Sequence, residues 1–184
     1  MMDYTEDKSK FWIFSLLLLI IAPFVIMLTP MIVAVTLADT PDKVVFIPKG
    51  TSMMMYGLAF AVVIVFLCAM YFSKSKLLNM LLGFMAVVCF IPIFSLGVQN
   101  YVYLHKDFIK NNPILGSKVE YQWEDLAKVT HEMYDEKTNR EENYIFEFKD
   151  GYTFSFIGSG IVDGKVKSEI YQKVMKLEVP YDEY

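Results

Sequence analysis

Cysteine, histidine and net positive charge are scarce in this sequence, and each scarcity excludes a class of protein. The chain has two cysteines and two histidines in 184 residues, scattered singly, so it carries neither a zinc-ligand pattern nor a disulfide framework. A formal net charge of −4 excludes a generally basic nucleic-acid-binding protein. What is abundant is apolar: 55% of the residues are hydrophobic, against about 45–50% in a typical soluble domain.

The apolar excess is concentrated where charge is absent. Residues 11–38, 50–73 and 77–104 contain no Asp, Glu, Lys or Arg. A helix needs about 20 apolar residues to cross a ~30 Å hydrocarbon core, and each stretch is longer than that. Because a bilayer cannot hydrogen-bond an open backbone, such stretches must be helical. The sequence therefore predicts a multi-pass protein of the cell membrane, with transmembrane helices at about 11–38, 52–73 and 77–99.

The predicted helices carry few functional side chains. Intramembrane charges usually mark ion paths, proton relays or substrate sites, so their absence argues against a transporter, a pump or a voltage sensor. Gly57 and Ala61 form a small-xxx-small pair that could let a neighbouring helix approach, although such pairs also arise by chance in apolar helices. Cys68 and Cys89 fall in different helices and are expected to be buried free thiols.

Three crossings place the N-terminus and the C-terminal region on opposite sides of the membrane. Lysines close to the membrane number four on one side and five on the other, so the positive-inside rule does not decide. The tight turn containing Lys74 and Lys76 is typical of a cytoplasmic connection and favours an outside C-terminal region. The connection over residues 39–49 has a β-branched run between two prolines. We expect an extended segment there, in contact with the membrane surface, the C-terminal domain or a partner.

The C-terminal residues 105–184 form the predicted polar domain, and residues 1–104 form the tail and the transmembrane helices. Aromatic residues alternate on both sides of Asp150-Gly151, which predicts a β-hairpin. Residues 165–177 have one apolar stripe, and Asp163 is placed to cap the resulting helix. The predicted fold is thus a small α+β domain, a curved antiparallel sheet of five or six strands closed by one C-terminal helix.

Several segments of this domain resemble a bacterial pleckstrin-homology-like (PH-like) domain attached to membrane helices. They are Tyr-Leu-His-Lys-Asp-Phe-Ile at 103–109, Val-Glu-Tyr-Gln-Trp-Glu-Asp-Leu at 119–126, the hairpin Phe-Lys-Asp-Gly-Tyr-Thr-Phe at 148–154, and the final helix. The resemblance covers under half of the chain and departs from a full barrel, which has seven strands. It implies a fold and a scaffold role, but no reaction and no ligand residues.

One candidate surface lies on the predicted final helix. Lys165, Lys167, Lys173 and Lys176 give this helix four positive charges, whereas residues 105–184 as a whole have a net charge of −5. The helix could dock on anionic lipid headgroups or on a partner. The alternative is that these lysines only keep the helix soluble and interact favourably with its C-terminal end.

No catalytic, cofactor or metal site is predicted, and the protein is not expected to be an enzyme. His105 and His131 lack a neighbouring nucleophile motif, because both cysteines are intramembrane and no Gly-x-Ser-x-Gly sequence occurs. They are interpreted as surface or structural histidines. The carboxylate pairs at residues 124–125 and 141–142 have no metal-loop spacing and are expected to be solvated.

Two functions compete on this basis. The preferred one is an integral membrane scaffold or regulatory protein that presents a small interaction domain at the membrane surface. The alternative is an accessory or immunity-type subunit whose transmembrane helices associate with another membrane protein. Expected partners are the lipid bilayer and a protein or a second copy of the chain, with no nucleic acid and no evident small-molecule substrate.

Overall fold

The computed structural model of the protein describes residues 4–38, 40–134, 136, 140–158, 160 and 162–184. Three helices in the described residues are long and apolar enough to cross a membrane, which confirms the predicted multi-pass character. They are α1 (Tyr4–Ala38), α2 (Gly50–Phe72) and α3 (Lys76–Gln99).

Helices α2 and α3 form a close antiparallel hairpin. Ser75 begins the return helix as its N-cap, and its Oγ accepts a hydrogen bond from the backbone N–H of Leu78 at 3.4 Å. Near the other end, the ring of Tyr56 packs against Gly97, where any side chain would collide with it. The same Tyr56 ring of α2 also packs on the ring of Phe94 in α3, with centroids 4.9 Å apart. Close backbone approach and aromatic packing therefore hold the hairpin together.

The remaining elements are eight strands and a fourth helix within the described residues. The strands are β1 (Lys43–Pro48), β2 (Tyr101–His105), β3 (Phe108–Asn112), β4 (Val119–Gln122), β5 (Leu126–Glu132), β6 (Asn143–Phe148), β7 (Thr153–Ile157) and β8 (Tyr181–Glu183), and the helix is α4 (Gly164–Lys176). They form two four-stranded sheets, ordered β1-β2-β3-β4 and β7-β6-β5-β8. In the described residues, the C-terminal segment supplies six strands before α4, as expected, but the expectation of one curved sheet was wrong, because the strands form two sheets and β1 comes from outside that segment.

Strand β1 comes from the connection between the first two transmembrane helices. It pairs antiparallel with β2, with Ile47 opposite Val102 and Phe46 opposite Tyr103. Both Ile47 and Val102 are buried in the same core. The expected contact between this connection and the C-terminal domain is thus confirmed, and it is a full strand pairing.

The domain boundary in the structure differs from the one expected at residues 104 and 105. One compact unit consists of Met1–Val33 and Gly50–Asn100, and the other of Ala34–Lys49 and Tyr101–Tyr184. The difference has a physical cause, because β1 and β2 bury their side chains in the sheet core instead of continuing the helices.

The core of this second unit is aromatic and aliphatic. Trp123 and Phe146 are each at most 1% exposed. The predicted hairpin is present: β6 and β7 pair around a turn in which Gly151 has a φ of 85°, a conformation that glycine adopts without strain. Helix α4 is also as predicted, since Asp163 accepts a 2.9 Å hydrogen bond from the N–H of Val166 and the apolar stripe is buried.

Candidate functional site

A groove between α4 and the edge strand β1 is the most distinctive cavity of the second unit. Its volume is about 340 Å³. Its walls combine apolar and basic side chains, because α4 places its apolar stripe in the core and leaves the flanking lysines at the surface. The lining residues are Val44, Lys106, Trp123, Glu169, Gln172, Lys173 and Lys176.

One wall of the groove is the turn between β2 and β3. Lys106 lies in this turn and forms a 2.7 Å ion pair with Asp42, which precedes β1. This interaction, mainly its hydrogen bond, raises the pKa of Lys106 and lowers that of Asp42. The lysine therefore stays charged at neutral pH, and the pair ties the start of β1 to the end of β2.

The floor of the groove is formed by Trp123. Its indole N–H donates a 2.9 Å hydrogen bond to the carbonyl oxygen of His105, which fixes the ring against the end of β2. The ammonium group of Lys173 lies 5.8 Å from the centroid of this ring and donates a hydrogen bond to the carbonyl oxygen of Lys106. The tryptophan is therefore a core residue that also orients a groove lysine through a cation–π contact.

Of the four lysines predicted to form one surface, two line the groove and two do not. Lys173 and Lys176 line the groove. Lys167 lies elsewhere, where its Nζ is 2.7 Å from Oε2 of Glu142. Lys165 is exposed at the start of α4 and takes no part in the groove. The sequence pattern could not find Lys106, because it reaches the groove from a turn distant in the chain.

A second polar cluster surrounds His131 in β5. Its Nε2 lies 2.7 Å from Oε1 of Glu142, and its Nδ1 lies 2.9 Å from Oε1 of Glu183. The imidazole also stacks on Tyr144, with ring centroids 4.2 Å apart. The interpretation of His131 as structural is consistent with this arrangement, but the expectation that Glu142 is solvated was wrong.

The electrostatics of this cluster favour an ionised Glu142. Burial alone would raise the pKa of its carboxyl, but the hydrogen bonds from Lys167 and His131 outweigh burial and lower it. Burial raises the pKa of Tyr144, which therefore stays neutral. In the part of the chain that the structure describes, no group of three or more His, Cys, Asp or Glu side chains could hold a metal ion.

The predicted helix-packing pair lies on an open face of α2. A Cβ atom built on Gly57 would have no atom within 4 Å among the described residues, and Ala61 is exposed. The close helix approach in this chain uses Gly97 instead, on the facing helix. The Gly57 and Ala61 face is thus left without a neighbour from the described part of the chain.

The chain matches no protein-family model and no curated protein. The described residues form three helices long and apolar enough to cross a membrane, followed by a domain of two sheets and one helix. Within that domain, the groove and the His131 cluster are the two sites where polar side chains from several elements meet.

Proposed function

We propose that the protein is an integral membrane scaffold or regulatory protein that presents a PH-like interaction domain at the membrane surface. One observation carries the proposal: the domain is assembled from two chain segments separated by a transmembrane hairpin, since β1 pairs with β2 across α2 and α3. The complete first sheet therefore uses chain segments from both sides of the transmembrane hairpin.

The number of strands that precede α4 supports the PH-like assignment. A full PH-like barrel has seven strands, and the C-terminal segment alone was expected to supply five or six. With β1 contributed by the helix connection, seven strands, β1 to β7, precede the helix α4. The short strand β8 then follows and pairs parallel to β5.

Short covalent joins connect the domain to the membrane helices. Strand β1 ends at Pro48 and α2 begins at Gly50, while α3 ends at Gln99 and β2 begins at Tyr101. Each join is a single residue, which gives the domain little freedom to diffuse away. Presentation of a binding surface at a fixed place is what a scaffold requires.

The turn between α2 and α3 supports a proposed outside location of the domain. Lys74 and Lys76 flank Ser75 in this short turn, and lysines in short connections favour the cytoplasmic side. The proposal therefore includes a domain on the outer side of the membrane. A reporter active only in the cytoplasm, fused after Tyr184, should be silent, and a reporter active only outside should give signal.

The open face of α2 favours one alternative, an accessory subunit whose helices bind another membrane protein. Gly57 and Ala61 would then be the contact, because their small side chains permit close helix approach. In this case the domain would be dispensable for association, whereas under the scaffold proposal other apolar helices can replace the three spans.

Two exchange variants of the full-length protein separate the alternatives. The first keeps the spans, replaces residues 41–47 by a Gly-Ser linker and ends at Asn100. The second keeps the domain segments and replaces the three spans by unrelated apolar helices of equal length. Partner capture from native membranes is quantified for both against the unaltered chain. Capture only by the second variant supports the scaffold, capture only by the first supports the accessory subunit, and capture by neither contradicts both.

A further inference from the structure

The groove lysines differ in how their charges are compensated. Lys106 has a carboxylate partner in Asp42 and also experiences the charge of Glu169. Lys173 donates to a neutral backbone carbonyl. Among the described residues, no carboxylate lies within ion-pair distance of Lys173 or Lys176, so these two ammonium groups have no ion-pair partner, and Glu169 is the acidic side chain in the groove lining.

These two charges have a defined spacing. Lys173 and Lys176 are three positions apart on α4 and therefore lie on the same helix face, with Cβ atoms about 5–6 Å apart. In an extended peptide, side chains two positions apart point to the same side and are separated by about 6.6 Å. Two carboxylates at positions i and i+2 of such a peptide can therefore each reach one ammonium group.

The groove lies at the end of strands β1 and β2 that is opposite their joins to the membrane helices. Strands β1 and β2 join the membrane helices at the paired residues Pro48 and Tyr101, and their other ends are the paired residues Lys43 and His105. Val44 and Lys106, which line the groove, belong to the latter end. At a rise of about 3.3 Å per residue, that end is roughly 15 Å along the strands from the joins. The groove is therefore formed away from the residues that join the domain to the helices.

We propose that the groove binds an extended acidic segment of a protein partner, with two carboxylates two positions apart paired to Lys173 and Lys176. The side chain of Val44 supplies an apolar contact beside the bound backbone, above the buried ring of Trp123. Charge complementarity carries the choice of ligand, because the groove lining has three lysines and one glutamate, and neither Lys173 nor Lys176 has an ion-pair partner among the described residues. The inference rests on the proposed scaffold function and names the chemistry of its partner.

The test uses the full-length chain in nanodiscs of neutral lipid and a fluorescent extended peptide containing Glu-Ser-Glu. Fluorescence anisotropy gives its Kd, and a matched Gln-Ser-Gln peptide is the ligand control. The double variant Lys173→Gln with Lys176→Gln should weaken binding of the Glu-Ser-Glu peptide at least fivefold. The single variant Lys176→Gln should weaken it measurably, and this exposed side chain is not required for folding.

The matched control variant is Lys118→Gln with Lys165→Gln, which removes the same charge from exposed positions outside the groove. It should change the Kd less than twofold. Equal weakening by both double variants would show general charge attraction and overturn the proposal, as would equal binding of the Gln-Ser-Gln peptide.

Anionic vesicles provide the last comparison. Binding to phosphatidylglycerol vesicles that depends on Lys173 and Lys176, without binding of the acidic peptide, would identify a lipid ligand and overturn the proposal. Either failure leaves the scaffold function testable, because the exchange variants measure partner capture without reference to the groove.

Discussion

His131 and Glu142 form a buried pair, with Nε2 of the imidazole 2.7 Å from Oε1 of the carboxylate. The other ring nitrogen faces Glu183 at 2.9 Å, and Lys167 reaches Glu142 from α4. The cluster therefore links β5 with β8 directly and with α4 through Glu142, the residue that precedes β6.

Replacing Glu142 by Gln should destabilise the domain by about 2–4 kcal/mol, because the ammonium of Lys167 and the imidazole of His131 lose their shared carboxylate. The neighbouring Glu141 is exposed, so Glu141→Gln is the matched control and should be near neutral. Denaturant unfolding of the full-length protein measures both free energies. Equal values for the two variants would contradict a stabilising role for the cluster.

Acid should weaken the domain partly through Glu142. Its pKa in the folded protein lies below the ordinary value of 4.5, so the unfolded state binds a proton more readily than the folded state. The resulting stabilisation is fully present above the unfolded-state pKa and is lost as the pH falls through the folded-state pKa.

Thermal unfolding between about pH 3 and pH 7 tests this linkage. Over that range the melting temperature of the unaltered protein should fall more steeply than that of the Glu142→Gln variant, since the amide does not titrate. Parallel curves for the two proteins would rule out Glu142 as a source of the acid sensitivity. Glu141→Gln should follow the unaltered protein.

The pairing of β1 with β2 can be trapped by a disulfide. Ile47 and Val102 are opposite each other in this antiparallel pair, where Cα atoms lie about 4.5–5.5 Å apart, within the range that a disulfide spans. In a background with Cys68→Ala and Cys89→Ala, the variant Ile47→Cys with Val102→Cys should form an intramolecular cross-link under mild oxidation.

The control for this cross-link keeps one cysteine and moves the other. Lys43→Cys with Val102→Cys places the thiols several residues out of register, so it should not cross-link at a comparable rate. Mass spectrometry of the oxidised, digested protein distinguishes the two variants. Equal cross-linking would mean that the strand has no fixed register.

Features encoded by local sequence were predictable, and features that depend on distant chain segments were not. Charge-free length predicted the three spans, the Asp150-Gly151 turn predicted the β6–β7 hairpin, and Asp163 predicted the start of α4. The β1–β2 pairing joins segments separated by a transmembrane hairpin, so periodicity indicated only an extended segment. The burial of Glu142 likewise depends on distant basic partners, whereas its local sequence is typical of a solvated loop.

Gly97 should be the least replaceable glycine of the transmembrane hairpin. A Cβ atom at this position would lie 2.5 Å from Cε1 of Tyr56 and 3.1 Å from the carbonyl oxygen of Ser52. Tyr56 is fully buried and cannot move aside without disturbing its neighbours. Overpacking of this kind costs about 1–3 kcal/mol, so Gly97→Ala should lower the melting temperature in detergent.

Gly83→Ala is the control, because its Cβ would meet only the end of Met70 at 3.8 Å. The added change Tyr56→Leu should restore part of the loss in Gly97→Ala, and a loss that Tyr56→Leu only deepens would exclude the ring contact as its cause.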